Sequence, residues 1–217
     1  VGVVFFVGHY YGGNGITDDS DYSSTIGTKT CHGYVMALTE ASQSPVKWCS
    51  LVVNNLIRYD KITGEEGYQG YKYLGYIKDS KYNTTLQEDF PVFYACDSYG
   101  TADWHPTLAT PINNTSGWYL PTITQLKDIR KNLTEPDKFT FKDKESLMKT
   151  LATVRCKLPE DCEYLKYMLP SRQTGWWSCS QRGEGTALFL DLSAGADQST
   201  TGVQPTQEHH VRPALSY

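Results

Sequence analysis

Two stretches gather side chains suited to holding a ligand. The first runs from Thr174 through Trp176, Ser178, Ser180, Gln181 and Arg182, and the segment at Gln204, Thr206 and Gln207 completes it. The second is a Tyr- and Gly-rich run between Tyr59 and Tyr82 that includes Tyr68, Tyr71 and Tyr73. Rings stack on the apolar faces of sugars or proteins, while hydroxyl, amide and guanidinium groups around them donate and accept hydrogen bonds. Both stretches therefore suit recognition without bond breaking. Trp176 and Trp177 alternate across a strand, which predicts one ring in the core and the other exposed. The plainer reading of the Tyr-rich run is a twisted hairpin with its tyrosines on one face.

Other groups suit other chemistry less well. Cys179 in "WSCS" can be cast as a nucleophile with His105, His209 or His210 as base, but no recognised nucleophile or metal motif surrounds it, and a packed strand residue is the simpler reading. Asp18, Asp19 and Asp21 offer hard oxygens for calcium, yet the run lacks the Gly and the distal Glu of an EF-hand loop and reads as a solvated loop. His209 and His210 are adjacent on an expected strand and point to opposite faces, so they do not chelate one metal together. No metal or cofactor is expected. Six cysteines follow no C-x-x-C spacing, and Cys156 and Cys162 are the most natural pair.

The elements that must position these groups are legible in the pattern. At 217 residues, 39% hydrophobic and 20% charged, the chain suits one ordered domain. A net charge of −4 lacks the basic excess that nucleic acid requires, and no apolar run approaches a membrane span. Residues 122–172 carry a modest basic excess that reads as solvated helices. The apolar run "VGVVFFV" predicts a first strand, a long loop follows over residues 12–30, and His32 to Glu40 returns beside that strand. Trp48 and "SLVVNNLI" fit either strand or helix. "DFPVFYACDSYG" predicts a short helix with Asp89 near its N-cap, Pro91 in its first turn and Gly100 past its end. In "GWYLPTITQLKDIRKNL", Thr122 and Gln125 form a capping box after Pro121, with Ile123, Leu126, Ile129 and Leu133 on one face. Trp118 there reads as a bracket packed on the core. A second helix is expected over "KDKESLMKTLATV". Period-two patterns predict strands at "TALFLDLS" and "HVRPALSY", with residues 194–208 between them as loop. The class is α+β, with strands at both ends and helices between.

The order of "VGVVFFV", "HGYVMALTE", "VKWCS", "NTTLQEDFPVFYACDSYG", "GWYLPTITQLKDI", "GWWSCSQ", "ALFLDLS" and "HHVRPALSY" resembles a family of bacterial surface proteins, that of the Legionella collagen-like adhesin C-terminal domain and the related Fibrobacter major paralogous domain. The resemblance spans nearly the whole chain. It implies a C-type-lectin-like fold with paired N- and C-terminal strands, two or three helices and a loop-rich half. Residues 1–217 would form one such domain at the C-terminal end of a longer exported protein, the start at Val1 reading as a cut. In the family pattern Trp177, directly before Ser178, is the structural tryptophan. The function implied is non-catalytic binding of a glycan or protein by a cell-surface or pilus-associated adhesin, with fimbrial subunits as a further partner class and a surface or extracellular location. Three alternatives follow the same fold: a structural cap of a fimbrial or surface complex, a phage or retroelement-diversified receptor-binding protein, and an enzyme of the formylglycine-generating type. The Tyr-rich insertion at 59–82 and the 12–30 loop depart from the family. The calcium-site tripeptides of sugar-binding lectins are absent.

Overall fold

The first strand is apolar along its whole length, and a bulge decides which of its side chains face inward. The structure, a computed structural model, describes residues 2–10, 18–37, 39–42, 44–54, 67–100, 113–133, 175–183, 185–191 and 200–217. Strand β1 (Gly2–Val7) pairs antiparallel with β2 (Gly33–Ala37), which pairs antiparallel with β8 (Ala214–Ser216). The expectation of paired terminal strands is corrected in one respect: both ends of the chain join one sheet, but in the order β1-β2-β8, each bonded to β2. The register shifts between Val4 and Phe6. A bulge of this kind sets two residues against one, and Phe5 and Phe6 both contact the rings of Tyr34 and Tyr68.

Between the terminal strands the described elements are β3 (Val46–Lys47), α1 (Leu51–Asn54), α2 (Gly70–Lys78), α3 (Leu86–Asp89), α4 (Pro91–Asp97), α5 (Ile123–Leu133), β4 (Trp176–Gly183), β5 (Thr186–Leu190), β6 (Thr200–Val203) and β7 (Glu208–His209). Strands β4, β5 and β6 form a second antiparallel sheet, and β3 pairs with β7. The protein is α+β. "SLVVNNLI" starts as helix, closing the alternative left open by its sequence. Strand β6 replaces part of the loop expected over 194–208, because Thr200–Val203 pair residue by residue with β5.

Two local expectations change. Residues 70–78 form a helix rather than a hairpin or an open loop, with Tyr73, Leu74 and Ile77 buried at helical spacing. Asp89 does not cap α4. Its carboxylate instead accepts from Thr84 N, Thr84 Oγ1 and Thr85 N at the start of α3, Phe90 holds the N-cap position of α4, and Pro91 opens that helix. Gly100 follows α4 at φ +97°.

Helix α5 starts as its sequence demands. Thr122 N donates to Gln125 Oε1 at 2.9 Å and Gln125 N donates to Thr122 Oγ1 at 3.1 Å, the reciprocal pair of a capping box. Ile123 N donates to Ser180 Oγ and Cys179 N donates to Pro121 O, tying this helix start to β4. Ile123, Leu126 and Ile129 are buried. Gly117 turns the chain at φ +77°, a conformation that a side chain disfavours, and delivers Trp118 into the core edge-on to Tyr99. The helix expected over 142–154, the Cys156 and Cys162 pair, His105, Thr174, Leu192, the side chain of Leu133, and the 12–17 and 59–66 parts of the two long segments lie outside the described residues. Among the described residues no helix is long and apolar enough to cross a membrane.

Candidate functional site

Most of the residues expected to display themselves to a ligand are inside. Strand β4 is buried on both faces from Trp176 to Gln181, so alternation separates Trp176 from Trp177 without exposing either. Trp177 donates from Nε1 to Val46 O at 2.8 Å and meets Phe189 and His209 edge-on. Trp176 donates to Glu40 Oε1 at 3.2 Å, and the Arg212 guanidinium stands 5.0 Å over its ring. Ser178 donates to Leu188 O, while its own carbonyl takes the Trp48 indole N–H. Ser180 caps α5, as described above. The exposure expected of Trp176, Ser178, Ser180 and Gln181 is therefore corrected: all four are buried, and the polar side-chain atoms of Trp176, Ser178 and Ser180 serve strand and helix junctions. Among the described residues of that set only Arg182, Gln204 and Gln207 are exposed, with Thr206 half-buried.

The tyrosines divide similarly. Tyr68 is fully buried, stacks on Tyr10 at 4.0 Å between centroids, and donates its hydroxyl to Asp128. Tyr73 is buried, and Tyr71 is half-buried against Tyr22. Cys179 is buried at 0% exposure, and burial pushes its thiol well above the ordinary range, the reverse of an activated nucleophile. Cys31, Cys49 and Cys96 are also free, buried thiols.

The acidic segment is solvated at Asp19 and Asp21 but not at Asp18. Asp18 is 4% exposed and accepts from Ser20 N at Oδ1 and from the hydroxyls of Tyr22 and Tyr34 at Oδ2, both at 2.7 Å. Asp19 pairs with Lys72 on α2, and Asp21 accepts from Ser23 N, which disperses the oxygens that calcium would need together. A continuous relay leads away from Asp18: Gln125 Nε2 donates to Tyr119 OH, Tyr119 OH and Ser216 Oγ are 2.9 Å apart, and Ser216 Oγ donates to Tyr22 OH. This polar hub joins the capping box of α5 to the last strand and to the loop after β1. Burial raises the Tyr22, Tyr34, Tyr68 and Tyr119 hydroxyls, so all four remain neutral donors.

A third cluster lies beside Trp176. His210 Nδ1 is 2.6 Å from Glu40 Oε2, and fully buried Arg212 reaches Ala37 O. Burial alone would raise Glu40, but the contact with His210, the Arg212 charge and the Trp176 N–H together hold it below its ordinary value. His209 points the other way and stacks on Phe189 at 4.1 Å, as opposite faces require.

The surface that sequence reasoning missed is the outer face of the terminal sheet. Val4 pairs with Val35, and Val35 with Leu215, so one apolar row crosses all three strands. Tyr217 closes it, its ring lying over Gly33 where a Cβ would come within 2.7 Å of Cζ. This row floors a groove of about 640 Å³ edged by Ile26, His32 and residues 113–115. Val4 is 45% exposed and Val7, on the same face, 77%. Among the described residues no acid, lysine or arginine lines the groove. The far edge of β8 is closed by the backbone of Ser116 and Tyr119, whereas β1 is the other edge of the sheet. An uninterrupted apolar run reads as a strand covered on both faces, which is why "VGVVFFV" concealed its outward valines.

No family model and no curated relative matches the sequence. Among solved structures, a fimbrial protein from Bacteroides ovatus superposes over 100% of this chain with a TM-score of 0.51 at 18% identity. The chain spans 44% of that protein's length. At this identity the likeness speaks for the fold.

Proposed function

We propose that this chain is an assembly component of a bacterial fimbria or related surface complex, built on a C-type-lectin-like domain of the adhesin-associated family it resembles. The superposition of the whole chain on a fimbrial protein carries the reading. The groove supports a polypeptide partner, here a second fimbrial subunit: it is an apolar row that reaches the surface at a sheet edge, where Val4 is exposed. Among the described residues a sulfated glycan finds no lysine or arginine in that groove, and Trp176 and Trp177, which would stack on sugar, are inside. The action is binding without catalysis, at the cell surface or outside it. Glycan and host-matrix arrays run beside a titration with purified fimbrial subunits test the choice. Flat arrays with subunit binding are expected. Saturable glycan binding that Arg182→Ala or Gln204→Ala abolishes, without subunit binding, would restore the adhesin reading.

A further inference from the structure

We propose that His9, Asp18 and Cys31 form a zinc site at the margin of the polar hub. One ligand atom from each lies within 4.8 Å of the others. His9 Nδ1 stands 3.5 Å from Cys31 Sγ. A zinc ion about 2.3 Å from sulfur and about 2.0 Å from nitrogen, across a tetrahedral angle, holds the two about 3.5 Å apart. The pair is already at ligand spacing.

The surroundings are those that metal ligands require. His9 Nε2 is 2.9 Å from the backbone oxygen of Asp18, so the N–H sits on Nε2 and the Nδ1 lone pair faces Cys31. Asp18 is held by Tyr22 and Tyr34 through one oxygen, while the other accepts from Ser20 N and keeps a lone pair. These contacts orient a carboxylate as outer-shell donors orient a metal-bound one. A thiol, an imidazole and a carboxylate together favour zinc over calcium or magnesium, which take oxygen ligands. His9 is half-buried, which leaves a way in, whereas Cys31 is 3% exposed.

On binding, the Cys31 S–H bond breaks, a sulfur–zinc bond forms and the proton leaves to buffer. Zinc takes the thiolate, so binding at the buried Cys31 thiol is coupled to release of its proton. The fold already brings the loop after β1 against Cys31, two residues before β2, and zinc would clamp these segments.

The test uses the whole chain, reduced with a phosphine and stripped with a chelator. Zinc alone is titrated by calorimetry in buffers of different ionisation enthalpy, and cobalt(II) alone by absorption. A single tight site with proton release, and a thiolate-to-cobalt charge-transfer band, are expected. Cys31→Ser abolishes the band, and Cys31→Ser or His9→Gln weakens zinc by at least about 10–100-fold, the range for losing even an outer-shell partner. Wild-type protein without the band, or a band that survives in folded Cys31→Ser, overturns the site. Should the variants not fold, alkylation of wild-type Cys31 mapped by mass spectrometry decides: zinc protection supports the site, and an unchanged rate refutes it.

Discussion

The two faces of the terminal sheet invert the usual arrangement. The inner face carries Tyr34 and Ser216 in a hydrogen-bonded hub that reaches Asp18 and Gln125, whereas the outer face carries an apolar row that runs from buried Leu215 through half-buried Val35 to exposed Val4. The hydroxyls of Tyr22, Tyr34, Tyr119 and Ser216 are tolerated inside because each finds a partner, and an unpaired one would cost about 1–3 kcal/mol. Nothing in the fold of the described residues calls for valines outside. The inner face accounts for the architecture, and the outer face is where the proposed subunit contact would lie.

Mutations can separate the two. Trp118→Ala should cost about 3–5 kcal/mol in denaturant unfolding, the range for a large aromatic truncated in a core, while leaving partner affinity intact in the folded fraction. Asp18→Ala strands the Tyr22 and Tyr34 hydroxyls at about 1–3 kcal/mol each, and Asp18→Asn, which keeps an acceptor, should cost less in the same assay. Thr122→Ala removes one half of the capping box and the 2.6 Å bond to Gly67 O, for about 0.5–2 kcal/mol. Val4→Lys should stay within about 0.5 kcal/mol of wild type, because Val4 is already 45% exposed. A large loss there would show that the outer valines serve the fold and would break the contrast.

Acid should act on stability through His209 and Glu40. Burial, then the neighbouring His210, lowers His209 below its ordinary 6.5, so the unfolded chain takes up that proton more readily than the folded one. Stability is full above about pH 6.5 and declines as pH falls through the lower folded value. Glu40, also held below its ordinary 4.5, adds a second decline below that pH. Melting temperature measured from pH 8 to pH 4 checks both steps, and His209→Gln should remove the first.

What was legible in the chain divides along the same line. The capping box, the packed Trp118, the strand at each end and the return of β2 follow from local rules of period and capping, and each is present. The ligand surface was misplaced because a mixture of Trp, Ser and Gln reads alike whether it faces water or joins elements. Ser178 and Ser180 became visible as junctions only once β4 lay against α5 and β5. Asp18 looked solvated because its partners Tyr22 and Tyr34 are brought together by tertiary packing. The groove was hidden by the bulge at Phe5: strict alternation assigns Phe5 and Phe6 to opposite faces, and the extra residue turns both inward.

The direct test of the outer face as the docking surface is a titration of purified fimbrial subunit into wild type, Val4→Lys and Val35→Lys, with Lys131→Ala as a control away from the groove. The account predicts at least a tenfold loss of affinity for both groove variants, unchanged melting for Val4→Lys, and wild-type affinity for the control. Equal affinity across all four proteins would contradict it.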